Sequence, residues 1–399
     1  MKVLIAGGGI AGTACAIALR EAGIAADVYE AFGRDADGVG AFLTVGVNGL
    51  DALRVIGVSP FALGGFETPR MTISLGDGRR LAEFSNGPLN RADGLVARTI
   101  RRDELYGCLR DEAVRRGASI HYRKRVVGVD ESIASGIGVR FADGSVTVAD
   151  ALIGADGLHS KVRALIDPNA PRARYAGLLN TGGYAENVRV PGAPGAMHMH
   201  FGKRCFFAYF PRPDGQVLWF ANPGRAKEPS RDELAAITPE QWRAELNRLF
   251  ADDETPARDL IRATRDILRP WGTYDFPHVP QWHRGRMVII GDAAHAASPS
   301  SGQGASMAIE DAVVLARCLR DGSTIEGAFG TYEESRRERV EKIVALGRRR
   351  GNGKTPGLLG RWVRDMMLRL MLRQQRGADR DPMAWVFDHR IVWEQGAQH

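Results

Sequence analysis

Three glycines, Gly7, Gly9 and Gly12, follow the apolar run "KVLIA" at once and stand at the head of a helix-periodic segment that begins at Ile10. Few folds accept that order. The stretch through "DVYE" reads as strand, tight turn, helix and second strand, a βαβ opening. Gly7 permits the turn, Gly9 lets backbone approach a pyrophosphate, and Gly12 allows the helix to pack closely on the strand. The first helical turn, which contains Ile10 and Ala11, then directs free N–H groups at the anion. Glu30 ends the second strand 18 residues after Gly12, where a carboxylate accepts hydrogen bonds from ribose hydroxyls and repels a 2′-phosphate. Taken alone, the motif does not choose between a nicotinamide and a flavin dinucleotide.

A second glycine-rich corner lies some 280 residues on, in "IIGDAAHAASPSSGQGASMAIEDA" (289–312). A buried strand ends at Gly291-Asp292, small residues follow, and a helix opens near Gly304. A carboxylate beside a pyrophosphate is repelled unless it sits against sugar hydroxyls, so Asp292 suits the polyol of a flavin. The positive end of the helix suits the negative charge of a reduced isoalloxazine. The alternative is a capping Asp292 with small residues packed beneath a helix. One FAD held at both ends accounts for both corners together.

Between the corners the pattern changes twice. "RMTISLGDGRRLAEF" reads as a hairpin, and "ALIGADGLHSKVR" as another strand, Asp-Gly turn and helix. From about Tyr175 long antiparallel strands take over, the clearest being "CFFAYFPRPDGQVLWFAN". The fold class is therefore α/β: a Rossmann-like FAD-binding domain with an inserted, mostly antiparallel β-sheet substrate domain and C-terminal helices. The expected division is 1–70, 98–174 and 271–345 for the FAD-binding domain, 71–97 and 175–270 for the substrate domain, and 346–399 for a C-terminal helical segment.

"GGGIAG" with Glu30, "ALIGADGLHSKVR" and "IIGDAAHAASPSSGQGASMAIEDAVVLARCL" together resemble the three motifs of the single-component flavin-dependent aromatic hydroxylases, the para-hydroxybenzoate hydroxylase family. The resemblance runs from Val3 to about Leu346. It implies that Gly7, Gly9, Gly12 and Glu30 hold the ADP half of FAD. Arg102 would reach the flavin side, and Val127 would meet adenine through its backbone. Asp156 and Gly157 fall on a motif that serves both FAD and the incoming nicotinamide, Asp292 on the ribityl-binding aspartate, and Pro299, Gly302, Gly304 and Ala305 on the turn beside the isoalloxazine. Two departures stand out: Ala31 follows Glu30 where many members have Arg, with Arg34 three positions later, and Ser306 stands where many have Asn. Asp156 is also placed to cap the helix that contains Ser160 and Val162.

The same resemblance implies an activity. NADH or NADPH reduces FAD, O2 adds at C4a, and the hydroperoxide hydroxylates or epoxidises a small aromatic, polycyclic or polyketide-like substrate. A flavin-dependent reductase or dehydrogenase of the same fold, or an inactive flavin-binding protein, is the alternative. The β-rich region should form an apolar wall that excludes water. Phe207, Tyr209 and Trp219 are candidates for it, and the opposite parity, with Phe206 and Phe210 toward the pocket, fits the alternation equally. His198 and His200 share a strand face without an apparent third ligand, so no metal is expected. Flavin-dependent halogenases carry a W-x-W-x-I-P element, and no two tryptophans here are two residues apart.

Charge narrows the partners. Of the formal +7, residues 348–376 contribute nine basic side chains against Asp365, a net +8, which leaves the rest at −1. Basicity thus describes one C-terminal helix and indicates no nucleic acid. Trp362, Val363, Met366 and Leu370, with Leu359 and Met371, share one face of that helix, which is expected to pack on the protein's own body and not on a membrane. Four dispersed cysteines predict a reduced, cytoplasmic protein, and the lack of a long apolar run predicts no transmembrane helix; a monomer or homodimer is expected.

Overall fold

The structure, a computed structural model, describes residues 1–34, 41–88, 91–134, 136–352, 354, 358–375 and 383–393. Strands and helices are numbered along the chain. Six strands form the first sheet in the order His283–Arg284 (β18), Met287–Ile289 (β19), Ala151–Gly154 (β12), Lys2–Ala6 (β1), Ala25–Tyr29 (β2) and Ile120–His121 (β8). From β19 to β8 all pairs are parallel, so the strands end at one edge. The helix Ile10–Glu21 (α1) crosses from β1 to β2, as the glycine turn and the apolar periodicity require. Its residues Thr13 to Leu19 are fully buried, because the helix lies between this sheet and the long helix Gly304–Asp321 (α9).

A seven-stranded sheet holds the antiparallel strands. Its order is Trp271–Asp275 (β17), Arg174–Ala185 (β13), Val217–Asn222 (β16), Phe206–Pro211 (β15), Ala196–Phe201 (β14), Arg70–Leu75 (β5) and Arg80–Ser85 (β6). The hairpin expected from Gly76-Asp77-Gly78 is β5–β6, and it joins beside β14 in the sheet's one parallel pairing. Helices Pro239–Leu249 (α6) and Ala257–Ala263 (α7) cover one face; Arg231–Ala235 (α5) precedes them. Two small sheets link the parts: Val146–Ala149 (β11), Ile137–Phe141 (β10) and Val126–Asp130 (β9), and Phe42–Val45 (β3), Arg98–Arg101 (β7) and Phe66–Glu67 (β4). The remaining helices are Val47–Val55 (α2), Arg102–Arg115 (α3), Lys161–Ile166 (α4), Asp292–His295 (α8), Ile325–Asn352 (α10), Leu358–Gln375 (α11) and Ala384–Phe387 (α12).

The last long helix does not bury its apolar stripe. Trp362, Val363, Met366 and Leu370 are exposed, and Arg364 points inward. Arg364 donates to the carbonyls of Phe201 and Gly202 at the end of β14, which turns the apolar face outward. The side chains of Leu359, Arg361, Met371 and Arg373 lie outside the described residues. Among the described residues no helix is long and apolar enough to cross a membrane.

Beneath the parallel sheet's edge lies a knot of buried charge. Glu310 and Asp311 on α9 are fully buried, and Arg336 of α10 reaches both, at 2.7 and 2.8 Å. Arg339 adds two contacts to Glu310 at 2.9 and 3.0 Å. Asp311 also accepts from the His295 ring and from the backbone N–H of Gly291, while Asn48 of α2 donates to Glu310. Burial pushes both carboxyls up, but His295 and then Arg336 override it at Asp311, and Arg336 and then Arg339 at Glu310, so that each is held at about 2. One cation thus fastens α9, α10 and the corner that carries Asp292.

An unpaired buried carboxylate is costly, so Arg336→Met should lose about 3–5 kcal/mol in urea unfolding at pH 7. The carboxyls are held below their ordinary value near ~4, so the knot's stabilisation is complete above that value and fades as pH falls toward ~2. The gap between wild type and Arg336→Met should therefore narrow over that interval; a constant gap would contradict this role.

Candidate active site

The loops at the carboxyl edge of the parallel sheet bring the sequence motifs together, as the rule for open α/β sheets requires. Gly7–Gly12 follows β1, Glu30 follows β2, Asp156-Gly157 follows β12, and Asp292 follows β19. The three motif glycines differ in what surrounds them. A Cβ on Gly7 (φ +102°) would lie 2.4 Å from the Ala155 carbonyl oxygen, and one on Gly12 would lie 1.9 Å from the Gly7 carbonyl oxygen. Those two are demanded by the fold itself. A Cβ on Gly9 would meet nothing within 4 Å, so protein packing gives no reason for that glycine. Beside it Ile10 and Ala11 form the half-buried first turn of α1.

The N-terminal and C-terminal corners touch. A Cβ on Gly291 would stand 3.0 Å from Ala11 and 3.3 Å from Ala308, so the backbone before Asp292 lies in the angle between α1 and α9. Glu30 accepts from the N–H of Gly8 at 2.6 Å and of Phe32 at 2.9 Å, which fixes its carboxylate beside the glycine turn. Ala31 is half-buried and Arg34 exposed.

Asp292 is solvent-accessible, yet protein crowds it enough for burial to push its carboxyl upward, with His295 and Arg102 opposing. Those two properties together describe the floor of a cleft. Among the described residues its carboxylate has no hydrogen-bond or ion-pair partner. Arg102 is exposed on the first turn of α3, near enough for its charge to act on Asp292. Pro299 opens a 3-10 turn, Pro299–Ser301, after which Gly302 adopts φ +64°; α9 then starts at Gly304 and Ala305. Cβ atoms added at Gly302 or Gly304 would meet no protein atom.

Three further motif positions have these surroundings. Ser306 does not turn its side chain to the cleft: it is fully buried under α2, where its hydroxyl accepts from the Gly46 N–H at 3.1 Å. Asp156 accepts from Ser160 Oγ and from the N–H groups of Lys161 and Val162 at 2.5, 2.7 and 3.1 Å, so its carboxylate is committed to the start of α4. Gly157 beside it, at φ +74°, faces open space. Val127 is an exposed side chain on β9.

On the seven-stranded sheet the parity falls to the other face. Phe207, Tyr209 and Trp219 pack against α6 and α7 with Trp242, Leu246 and Phe250, and form the core of that lobe, not a pocket wall. Trp219 donates to Thr264 of the same layer at 2.7 Å. The face toward the flavin-type domain carries Phe206, Phe210, Leu218, Phe220 and Tyr184, which close on Phe42 of β3. His198 and His200 stack on Tyr209 on the covered face, and the described residues contain no cluster of three metal ligands.

Sequence reasoning missed two residues on the open face. Lys354 is buried over Phe206 and Phe220, and Tyr184 buries an Oη that has no partner among the described residues. Lys354 was hidden in a basic segment, where a solvated lysine is the ordinary expectation; no local signal marks it as buried.

The geometry has counterparts. Residues 1–346 match the family described as FAD binding domain. The chain is 33% identical to the FAD-dependent urate hydroxylase of Klebsiella pneumoniae subsp. pneumoniae over 92% of its own length and 94% of that protein's. It is 35% identical to aurachin C monooxygenase/isomerase of Stigmatella aurantiaca over 93% and 94%. The solved structure of Klebsiella pneumoniae HpxO complexed with FAD and uric acid superposes with a TM-score of 0.81 at 30% identity, covering 94% of this chain and 95% of that one. This chain belongs to the FAD binding domain family, among the flavin-dependent aromatic hydroxylases of the para-hydroxybenzoate hydroxylase type.

Proposed function

We propose that this FAD-dependent monooxygenase takes electrons from NADH or NADPH and inserts one atom of O2 into a small, planar aromatic molecule that binds between the two lobes. The observation that carries the reading is the pattern of open backbone. Gly9, Gly302 and Gly304 each present space where a side chain would meet no protein atom, and Asp292 lies on the cleft floor among them.

The residues present fit FAD. Gly7 to Gly12 and the N-terminus of α1 would take the pyrophosphate, with Ile10 and Ala11 contributing N–H groups, and Glu30 would take the adenosine ribose. Asp292 would accept from the ribityl hydroxyls, which explains why its carboxylate has no protein partner. Gly302, Gly304 and Ala305 would meet the pyrimidine side of the ring, and Ser306 would contribute backbone only. Arg102 places a cation beside the ribityl and flavin side. When bound, FAD supplies the ring that accepts electrons from the nicotinamide and passes them to oxygen.

The chain's own contribution is position and dryness. Phe42, Phe210, Phe220 and Leu218 form an apolar cluster between β3 and the seven-stranded sheet, which would keep water from the reacting centre. With one dinucleotide fingerprint in the chain, the nicotinamide would dock transiently in a groove, and Gly157, open at the mouth of β12, suits such an approach. Among the relatives, the urate hydroxylases and 6-hydroxynicotinate 3-monooxygenase of Bordetella bronchiseptica bear names that specify flat, oxygenated heteroaromatics, which supports this substrate class.

Flavin retention separates site from scaffold. Gly9→Ala and Asp292→Ala should fold, with the melting temperature of the flavin-free protein unchanged, and bind FAD at least about 30-fold more weakly, because the first puts a methyl where the pyrophosphate must approach and the second removes charge-assisted hydrogen bonds. Gly12→Ala should fail to fold. Absorbance at the flavin bands and thermal melts check all three; a fully yellow Asp292→Ala would contradict the assignment. The activity itself is tested with an oxygen electrode. A hydroxylated heteroaromatic should accelerate both NAD(P)H oxidation and O2 uptake, whereas NAD(P)H oxidation without oxygen consumption would identify a reductase.

A further inference from the structure

The open face of the seven-stranded sheet contains a buried lysine that the flavin reading does not use. Lys354 is 5% exposed. Its Nζ donates to Asn222 Oδ1 at 2.5 Å and lies 4.1 Å from the centre of the Phe206 ring and 5.7 Å from that of Phe220. An ammonium has three donors, so two find no acceptor among the described residues. Asn222 is itself held: its Nδ2 donates to Asn180 Oδ1 at 2.8 Å, and Asn180 donates to Thr273. The amine is therefore aimed by a chain of amides that leaves it short of partners.

Its place relative to the cofactor loop is equally defined. Lys354 follows directly on α10, its N–H bonded to the Gly351 carbonyl. A Cβ on Gly351 would lie 3.6 Å from Ser300, and one on Gly347 would lie 2.9 Å from Ser301. The end of α10 thus leans on the Pro299–Ser301 turn, and Lys354 spans from that turn to β16. On the same face, the Tyr184 Oη is shielded from solvent without a partner among the described residues. A partly satisfied amine over Phe206 and Phe220, and an unpartnered hydroxyl beside Phe42 on the same face, suit a flat molecule with a polar edge.

We propose that Lys354 is a specificity residue that holds an anionic oxygen of the substrate, so that the site selects an aromatic ring carrying an ionised hydroxyl or enol. This rests on the reading of the cleft as the oxygenation site. The ring packs among the phenylalanines while its oxygen completes the ion pair with the ammonium. If the ligand enters as the phenol, it meets the neutral form of the amine: the phenol O–H bond breaks, the proton passes to the Lys354 lone pair, and a phenolate–ammonium pair results with no change in net charge. An aromatic ring bearing O⁻ is electron-rich, the condition that favours attack on an electrophilic oxygen. The charged or titratable groups that act on the amine are Arg350 of α10 and the Cys205 thiol; no carboxylate is within ion-pair distance among the described residues. Burial, with Arg350 adding to it, draws the amine down to about 7, so it exchanges a proton near neutrality.

The probe is 4-nitrophenol, whose phenolate absorbs in the visible. It is titrated into the FAD-loaded protein at a pH below the dye's own pKa. Wild type should bind it as the phenolate, and Lys354→Met should bind it about 30-fold or more weakly, as the neutral phenol. Lys354→Arg should restore phenolate binding, which a merely structural role would not produce. Flavin absorbance and melting temperature, unchanged in both variants, show that the site is intact. The proposal is overturned if Lys354→Met binds the phenolate as wild type does, or if yellow wild-type protein takes the dye only as the neutral phenol or not at all. A wild type that holds no flavin would instead overturn the reading of the cleft.

Discussion

The site depends on a contact between two backbones far apart in the chain. Gly291, at φ +60°, packs so closely between Ala11 and Ala308 that a Cβ would stand 3.0 and 3.3 Å from them, so the turn before Asp292 and the head of α1 share one corner. Glycine alone does not keep them there. The Gly291 N–H is bonded to Asp311, and Asp311 is bonded to Arg336 and His295, so the corner is anchored through buried charge to α9 and α10. Such a knot is a poor source of net stability, because desolvation offsets much of the attraction. What it supplies is position: the Asp292 carboxylate and the N-terminus of α9 are held in one register relative to the glycine turn.

From that corner the division of labour follows. The parallel sheet presents four loops at one edge, three of which leave open backbone or an unpartnered carboxylate where a ligand belongs. The antiparallel sheet presents a hydrocarbon wall and, at its end, one amine. A cofactor needs hydrogen bonds and a substrate needs a dry surface, and the two sheets supply these separately. The exposed stripe on α11 belongs to neither; it follows from Arg364 turning inward to cap the end of β14.

What was legible in the sequence was what is local. The glycine turn, Glu30 and Asp292 are each set by a few neighbouring residues, and the structure places them at one sheet edge as the βαβ pattern requires. Alternation along "CFFAYF" correctly paired Phe207 with Tyr209 on one face, but a period of two carries no information about which face meets another lobe. The covering helices α6 and α7 decided that, and left Phe206, Phe210 and Phe220 on the opposite face. Ser306 was read by its position in a motif, whereas its side chain is claimed by α2, an element some 260 residues away that the motif does not contain. Lys354 and the Glu310–Arg336 pair were illegible for the same reason: charged residues on helices are ordinarily solvated, and only tertiary packing reveals the exceptions.

The central claim is that one dinucleotide is gripped at both ends, its ADP half by the Gly7–Gly12 turn and its flavin half by the Asp292 corner. Reconstitution of the flavin-free protein with FAD and, separately, with FMN tests this most directly, because FMN lacks the adenosine that the glycine turn and Glu30 would hold. The account predicts one FAD per chain, bound far more tightly than FMN. Equal affinity for the two, or no uptake of either, would contradict it.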